Sequence, residues 1–307
     1  MQRRQFLTTA TILSATAPLT STMAAESNYA TLKSSEKFNM HFAPHAGMFR
    51  HHAGDDILDQ ISFAADQGFT AWEDNGMPNR SPEEQKAIGD LLAKRDMQMG
   101  VFVANKINWK EPTLTLGAGE HREDFLRRVK DAVEVAKRCN ATWMTVVPGF
   151  VDMRREMGLQ TADVVETLRQ GAAILEPYGL IIVLEPLNYR DHPGMFLTKA
   201  AQAYNICKAV DSPSCKILFD IYHQQIQEGN LIPNIDATWE EIAYFQIGDN
   251  PGRKEPTTGE IHYANVFQHI HNKGFSGVMG MEHGNSQEGK TGEEKVINAY
   301  RIVDIHK

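Results

Sequence analysis

The sequence predicts an α/β protein, a single (β/α)8 TIM barrel, on three observations. From Phe38 onward, short apolar segments alternate eight times with longer helical patterns. The 307 residues are 42% hydrophobic and 23% charged, which is globular composition and sufficient for one large core. No G-x-G-x-x-G follows a predicted strand, so the open dinucleotide-binding sheets lose their main support.

The eight predicted strands are short and rich in apolar, β-branched and aromatic residues. The segment 180–184 is apolar on both faces, as expected for a strand between a barrel interior and an outer layer of helices. A strand followed by a helix, repeated eight times, indicates a parallel sheet. The predicted strands cover residues 38–42, 70–73, 97–104, 143–147, 180–185, 216–221, 242–247 and 277–282.

Local signals mark the helices between these strands. Ser81, followed by Pro82 and two glutamates, has the pattern of an N-cap and a first helical turn. Thr161 and Thr198 are predicted to start two further helices, and a glycine follows the predicted end of three helices. These glycines are Gly68, Gly179 and Gly274, and the predicted helices cover residues 55–67, 82–95, 120–138, 162–177, 199–210, 235–241, 263–273 and 292–305.

The first 24 residues are predicted to be a Tat-type signal peptide, and the barrel is expected to occupy residues 37–307. Arg3 and Arg4 precede a mildly apolar stretch that ends near Leu19, and small residues follow around Ala24. The stretch is shorter than the roughly 18 to 20 apolar residues that a membrane span needs. We therefore expect export by the Tat route, a periplasmic location and no stable membrane insertion after cleavage. The alternative is a tail in which two arginines occur by chance.

The net charge limits the classes of binding partner, and the cysteine pattern indicates the state of the thiols. With 31 Lys and Arg against 39 Asp and Glu, the net charge is −8, which argues against a nucleic acid or an anionic membrane as partner. The three cysteines lack C-x-x-C or metal-ligand spacing and are predicted to be buried thiols. A disulfide between Cys207 and Cys215 after export is the alternative. The oligomeric state, including a homo-oligomer, stays open.

Four polar residues end the last four predicted strands in order: Glu185, Asp220, Gln246 and Glu282. Active sites of TIM barrels lie at the carboxyl ends of the strands, so barrel closure should bring these side chains to one place. Three unpaired carboxylates there would repel one another. Three carboxylates and an amide oxygen suit a hard divalent cation, and we expect Mg²⁺ or Mn²⁺ rather than zinc.

A metal in such a site can bind a hydroxyl and an adjacent carbonyl of one substrate and acidify the carbon-bound proton between them. Carboxylates on either side of that carbon could remove and return the proton through an enediolate. Glu185 and Glu282, on the first and last strands of the set, are the candidates for this pair. The predicted reaction is an isomerisation or an epimerisation.

Three segments carry a resemblance to a known family. They read E-P-L-N-Y-R-D-H-P-G-M-F-L from Glu185, F-D-I-Y-H-Q-Q from Phe219, and Q-I-G-D-N-P-G-R-K-E-P-T-T-G-E-I from Gln246. Residues 180–284 closely resemble the hydroxypyruvate isomerase family, and weaker agreement extends from Phe38 to the end of the chain. That family belongs to the xylose isomerase-like barrels, which also include ketose 3-epimerases.

The resemblance implies a role for each matching residue. The metal ligands would be Glu185, Asp220, Gln246 and Glu282. The proton-transfer pair would be Glu185 and Glu282, and the substrate contacts would be His223 and Arg253, with Asp191 as a further candidate. The implied substrate is a small carbohydrate or hydroxy-keto compound.

Other residues depart from the pattern expected of hydroxypyruvate isomerases. Histidines cluster after the first predicted strand, and H-G-N follows Glu282 in place of an aromatic residue and a proline. These histidines are His41, His45, His51 and His52. A second metal site is the alternative, but their spacing fits no standard metal site, so we predict solvated loop residues. Export also favours a sugar over hydroxypyruvate. The alternatives are a metal-assisted lyase or hydrolase of a sugar or polyol, and an inactive sugar-binding barrel.

Overall fold

A computed structural model describes residues 36–305 of the chain. The predicted signal peptide lies outside these residues. The described part contains parallel strands that alternate with helices, as the sequence predicts. The strands are β1 His41–Ala43, β2 Ala71–Trp72, β3 Gln98–Met99, β4 Phe102–Val103, β5 Trp143–Val146, β6 Ile181–Leu184, β7 Cys215–Asp220, β8 Ile242–Gln246 and β9 Val278–Gly280.

The strands form the wall of a TIM barrel. Seven pair in the order β1-β9-β8-β7-β6-β5-β4, and β2 pairs with β3. The short second sheet is joined to β1 where Glu73 N donates to Pro44 O over 2.9 Å. It is joined to the β4 segment where Asp74 N donates to Val101 O over 3.3 Å. The predicted fold class is confirmed.

The third predicted strand, 97–104, is two short strands rather than one. Gly100 lies between β3 and β4, and a Cβ at this position would collide with the hydroxyl of Tyr244. Tyr244 fills the barrel interior from β8, and its hydroxyl accepts a hydrogen bond from Val101 N over 3.4 Å. The backbone therefore comes close to an interior side chain at this point and leaves the regular ladder.

The helices enclose the strands, and most follow the predicted ranges. Ser81 forms a capping box with Glu84, as its pattern predicts, and Gly68, Gly179 and Gly274 have positive φ angles next to helix ends. The helices are α1 Arg50–Ala53, α2 Ile57–Asp66, α3 Pro82–Lys94, α4 Glu120–Cys139, α5 Met157–Leu175, α6 Ala200–Val210, α7 Ile221–Gln227, α8 Leu231–Thr238, α9 Tyr263–Asn272 and α10 Gly289–Val303.

Several helices differ from the prediction. Helix α1 lies outside every predicted helix, α8 begins four residues before the predicted 235–241, and the N-cap of α6 is Lys199 rather than Thr198. Helix α5 begins at Met157, so Thr161 lies inside it and its hydroxyl donates to Met157 O instead of capping the helix. Helix α7 was not predicted at all. It starts directly after β7 because the Asp220 carboxylate caps its first turn.

The core has two layers. Small and branched side chains with Tyr244 fill the barrel interior, and a larger apolar layer lies between the strands and the helices. The three cysteines are buried free thiols, as predicted, and burial raises the pKa of Cys139 to about 11. None of the described helices is long and apolar enough to cross a membrane. The interior members are Ala43, Ala71, Val101, Val183, Leu218, Tyr244 and Val278.

Candidate active site

The last four strands bring three of the predicted carboxylates together at the mouth of the barrel. Glu185 follows β6 directly, Asp220 ends β7, and Glu282 lies two residues after β9. Among the described residues, one ligand atom from each of these carboxylates and one from His223 lie within 4.8 Å of one another. Gln246 ends β8 and is the register partner of Asp220. We call these five residues the mouth cluster.

Asp220 has two separate duties in this cluster. Its Oδ1 accepts hydrogen bonds from Tyr222 N over 2.8 Å and from His223 N over 3.1 Å, which begins helix α7. Its Oδ2 faces the cluster, 3.6 Å from His223 Nε2. The cap therefore turns the chain at the strand end and holds the His223 ring beside the carboxylates.

Arg253 supplies the positive charge of the mouth. Its Nη2 is 2.5 Å from Glu282 Oε2 and 3.4 Å from Asp220 Oδ2. The residue has a φ of 48°, a left-handed conformation that a side chain other than glycine rarely adopts. The surrounding loop stabilises it, because Arg253 N donates to Asp249 O over 2.8 Å. The Asp249 carboxylate accepts from Gly259 N over 2.8 Å.

The carboxyl groups of the mouth are strongly perturbed. Burial raises the pKa of Glu282 to about 7, with Arg253 opposing the shift and Asp220 adding to it. Burial, followed by repulsion from Glu282 and Asp220, raises the pKa of Glu185 well above its ordinary value. Burial opposes the charge of Arg253, but these carboxylates raise its pKa. Carboxyls with raised pKa values at a barrel mouth are suited to proton transfer near neutral pH.

Glu73, at the end of β2, determines how the Gln246 amide is oriented. Gln246 Nε2 donates to Glu73 Oε1 over 3.0 Å, and the Tyr244 hydroxyl donates to Glu73 Oε2 over 2.7 Å. Burial, followed by repulsion from Glu282, raises the pKa of Glu73 to about 8. Gly280 makes room for this side chain, since a Cβ there would collide with Glu73 Oε2. Sequence reasoning gave Glu73 no role, although it too ends a predicted strand.

The donor atoms of the mouth fit a divalent cation. Three carboxylates face a single guanidinium, so full ionisation leaves an excess of two negative charges. Gln246 Oε1 is buried and accepts no hydrogen bond from the described residues. A buried carbonyl oxygen without a partner is costly unless a cation or another ligand satisfies it. Carboxylate and amide oxygens are ligands that hard divalent cations prefer.

The predicted substrate contacts fall into two groups. His223 and Arg253 lie in the mouth, where Arg253 Nη2 is 3.4 Å from His223 Nε2. Burial lowers the pKa of His223 to about 4, so the ring is neutral at physiological pH. Asp191 lies beside them rather than among the carboxylates, and it accepts hydrogen bonds from Tyr222 Oη over 2.8 Å and Asn188 Nδ2 over 3.0 Å.

Residues 61–301 match the family model described as the xylose isomerase-like TIM barrel. The chain belongs to this family. Its relatives include the 2-oxo-tetronate isomerase of Cupriavidus necator, which is 30% identical over 240 residues, covering 77% of this chain and 89% of the relative. The hydroxypyruvate isomerase of Escherichia coli is 39% identical over 122 residues, covering 40% of this chain and 47% of the relative.

Solved structures of lower sequence identity share the fold. An AP endonuclease, family 2, from Brucella melitensis has a TM-score of 0.73 at 23% identity, covering 82% of this chain and 96% of that one. A D-psicose 3-epimerase from Clostridium cellulolyticum H10 has a TM-score of 0.70 at 17% identity, covering 86% and 98%. The IOLI protein, solved with a zinc atom, has a TM-score of 0.69 at 17% identity, covering 86% and 96%.

Three aromatic side chains form one wall of the mouth in this xylose isomerase-like barrel. Trp109, from the long segment after β4, stacks on His192 with ring centroids 4.9 Å apart. His192 contacts His223 edge to face, with centroids 5.4 Å apart. Trp109 is about half exposed and borders a cleft of about 830 Å³. The wall therefore runs from His223 in the mouth cluster to the half-exposed ring of Trp109.

The histidines that depart from the family pattern lie outside the mouth cluster. His41 contacts the Thr70 hydroxyl, and His45 Nε2 is 3.0 Å from His283 O. His51 and His52 are in helix α1, not in a solvated loop. Their backbone N–H groups and their Nδ1 atoms all lie 2.6 to 3.0 Å from the carboxylate of buried Glu293. We call His51, His52 and Glu293 the Glu293 cluster.

Proposed function

We propose that this protein is a divalent-metal-dependent isomerase or epimerase. Its substrate would be a small sugar or hydroxy-keto compound with a carbonyl next to a hydroxyl. The observation that carries the proposal is the meeting of two glutamates with raised pKa values, Glu185 and Glu282, around a surplus of carboxylate charge. The isomerase names of the sequence relatives support the same reaction class.

In the proposed proton transfer, some residues of the mouth hold the metal and the two glutamates move the proton. The metal, when bound by the three carboxylates and Gln246 Oε1, would polarise the substrate carbonyl and the neighbouring hydroxyl. One glutamate takes the proton from the carbon, and the bonding pair moves toward the carbonyl oxygen to give an enediolate. In an isomerisation, a proton then returns to the former carbonyl carbon while the hydroxyl proton passes to the former carbonyl oxygen, so that the hydroxyl carbon becomes the new carbonyl. In an epimerisation, a proton returns to the opposite face of the same carbon and the original carbonyl forms again.

Arg253 and His223 would stabilise the oxygen on which negative charge develops. Both present N–H groups to the mouth, and neither has to move a proton for this role. Arg253 also pairs with Glu282 and so favours its ionised form. We therefore assign Glu282 as the base, and Glu185, the other glutamate of the pair, as the residue that delivers the proton.

We propose Mg²⁺ or Mn²⁺ as the metal, because the donor atoms are carboxylate and amide oxygens. We also propose that the chain is exported by the Tat route and acts in the periplasm on a sugar or keto-sugar. The support for export is the twin arginine at Arg3 and Arg4, the short apolar stretch and the small residues around Ala24. A sugar oxygen or apolar ring face could contact the wall formed by Trp109 and His192.

The proposal is tested by solvent-deuterium exchange into ketoses, aldoses and keto-acids with Mn²⁺ present. We expect deuterium at one carbon of a converted compound, loss of exchange after EDTA treatment, and recovery with Mn²⁺ or Mg²⁺. Glu185→Gln should lower the exchange rate by about 10² to 10⁴-fold while the circular dichroism spectrum stays unchanged. Exchange that is undiminished in Glu185→Gln contradicts the proposal. An elimination or hydrolysis product, or binding of a sugar without exchange, also contradicts it and supports a lyase, hydrolase or binding role.

A further inference from the structure

The Asn188 side chain is held in one orientation by its own loop. Its Oδ1 accepts hydrogen bonds from Arg190 N over 3.0 Å and from Asp191 N over 2.9 Å. Its Nδ2 donates to Asp191 Oδ2 over 3.0 Å. Rotating the amide by 180° would set NH₂ against two N–H groups and oxygen against a carboxylate. The oxygen and nitrogen of this amide are therefore assigned by the network around them.

The fixed amide faces one nitrogen of the His223 ring. Asn188 Nδ2 lies 2.6 Å from His223 Nδ1, and Asn188 N donates to the same atom over 3.3 Å. Both residues are buried. Because two N–H groups point at Nδ1, this nitrogen must offer its lone pair, and the ring hydrogen must be on Nε2.

The other neutral tautomer makes worse contacts. With hydrogen on Nδ1, the ring would oppose both N–H groups of Asn188, at 2.6 and 3.3 Å. With hydrogen on Nε2, only one pair of donors among the described residues is close, His223 Nε2 and Arg253 Nη2, and they are 3.4 Å apart. The Nε2 hydrogen and an Nη2 hydrogen can both point to one shared acceptor. Glu185 Oε1 and Asp220 Oδ2 lie 3.6 Å from Nε2 and accept in its neighbourhood.

We propose that Asn188 is a positioning residue that fixes His223 as the Nε2–H tautomer. His223 is then a hydrogen-bond donor and offers no lone pair to a metal, so the fourth metal ligand is Gln246 and not His223. The Nε2–H of His223 and an N–H of Arg253 converge on one substrate oxygen that gains negative charge. This last role rests on the proposed function, whereas the tautomer follows from the contacts of Asn188.

The tautomer is measured directly by ¹⁵N NMR of histidine-labelled, metal-free protein, with the His223 signals assigned from their loss in His223→Gln. We expect a proton-bearing Nε2 and a Nδ1 with the shift of an unprotonated nitrogen. A proton on Nδ1 of the wild-type ring overturns the proposal, whether or not the protein has isomerase activity. Deuterium exchange that fails while the Nε2–H tautomer is found overturns the proposed function and leaves the role of Asn188 intact.

Asn188→Asp supplies the reverse experiment. A carboxylate at this position accepts from Nδ1, so we expect the hydrogen to move to Nδ1 and Nε2 to become a lone-pair donor. Affinity for Zn²⁺, measured by calorimetry on metal-free protein, should then increase relative to Mn²⁺, because imidazole is a zinc ligand. If the substrate is known, kcat should fall by about 10² to 10³-fold with little change in KM, the effect of losing one oxyanion donor.

Gln227→Glu is the matched control for added charge. Gln227 is the last residue of α7, and its side chain accepts from Tyr189 N of the Asn188 loop over 3.0 Å; among the described residues, no side-chain hydrogen bond joins Gln227 to the His223 ring. We expect this variant to keep the Nε2–H tautomer, the wild-type preference between the two metals and the wild-type kcat. A tautomer that stays Nε2–H in Asn188→Asp, in a protein with a native circular dichroism spectrum, contradicts the positioning role.

Discussion

The mouth cluster and the Glu293 cluster both contain histidine beside buried carboxylate, but the chain's own groups satisfy the carboxylate only in the Glu293 cluster. In the Glu293 cluster, one carboxylate is matched by two backbone N–H groups and two imidazoles, so each oxygen has two partners. In the mouth cluster, three carboxylates share one guanidinium, two of them have raised pKa values, and the Gln246 oxygen has no partner among the described residues.

The difference separates a structural cluster from a functional one. The Glu293 carboxylate joins α1 to α10 and completes the hydrogen bonding of a four-residue helix. It needs nothing from outside the chain. The mouth cluster holds more negative charge than its own residues neutralise, and such unsatisfied groups indicate a ligand. Residue composition alone, which also drew attention to His51 and His52, does not make this distinction.

The largest expected effect is on the stability of metal-free protein at different pH values. In the fold, the pKa values of Glu282 and Glu73 rise from 4.5 to about 7 and about 8. The folded protein therefore binds more protons than the unfolded chain, and stability present below pH 4.5 is lost as the pH rises through these values. We expect Tm after EDTA treatment to fall by more than about 4 °C between pH 5 and pH 8.

Addition of Mn²⁺ sharpens this measurement. The cation should raise Tm more at pH 8 than at pH 5, because the carboxylates that bind it are ionised at the higher pH. Scanning calorimetry at both pH values, with and without Mn²⁺, tests the sign. Two results would contradict the prediction: a Tm of the metal-free protein that rises over this range, or an equal effect of Mn²⁺ at both pH values. Either would mean that groups of the chain itself already compensate the carboxylates of the mouth, as they do for Glu293.

A smaller effect is expected when the orientation of Gln246 is released. Glu73→Gln replaces a group that accepts at both oxygens with an amide that can face Gln246 with its oxygen or with its NH₂ group, so the orientation of Gln246 is no longer fixed and its oxygen can turn away from the mouth. We expect the affinity for Mn²⁺, measured by electron paramagnetic resonance, to fall about 10- to 100-fold. Tyr244→Phe leaves the Glu73 carboxylate in place and should lower the affinity less. Unchanged affinity in Glu73→Gln would contradict the role of Glu73 in orienting the Gln246 amide.

The smallest expected effect is on the Glu293 cluster, where stability should change and catalysis should not. Glu293→Gln replaces one acceptor oxygen with an NH₂ group that faces N–H donors, and we expect the free energy of unfolding to decrease by about 1 to 3 kcal/mol. Glu294→Gln, at a largely exposed neighbour, should stay within about 0.5 kcal/mol of wild type. Urea denaturation and the rate of exchange are measured on both variants. If Glu293→Gln lost activity while its free energy of unfolding stayed at the wild-type value, the Glu293 cluster would have a functional role and not only a structural one.

The sequence predicted the barrel and the main carboxylates because these depend on local patterns. Apolar segments mark buried strands, and a polar residue at the end of each strand points to the mouth in any closed barrel. Glu185, Asp220 and Glu282 were found in this way. The third strand was predicted as one segment because the approach of Tyr244 from β8 is not encoded in the strand itself.

The roles of Glu73 and Asn188 could not be predicted, because each acts through a partner far along the chain. Glu73 contacts Gln246 across 173 positions, and Asn188 contacts His223 across 35. No periodicity or spacing records such contacts. The early start of α5 is a tertiary effect too, since Gln160 bonds to the loop around Asp152 and holds the first turn in place.

The brevity of β2 gives the cross-barrel contacts of Glu73 a second importance. This strand has only two residues in its ladder with β3, fewer than any pair among β5 to β8. Glu73 lies just beyond this ladder, and its backbone pairs with the β1 side instead, where Glu73 N donates to Pro44 O over 2.9 Å. The hydrogen bonds from Tyr244 and Gln246 come from β8, so they connect the short strand β2 to β8 at the same time as they orient the Gln246 amide. The same two hydrogen bonds therefore hold this part of the barrel wall together and fix the orientation of a mouth residue.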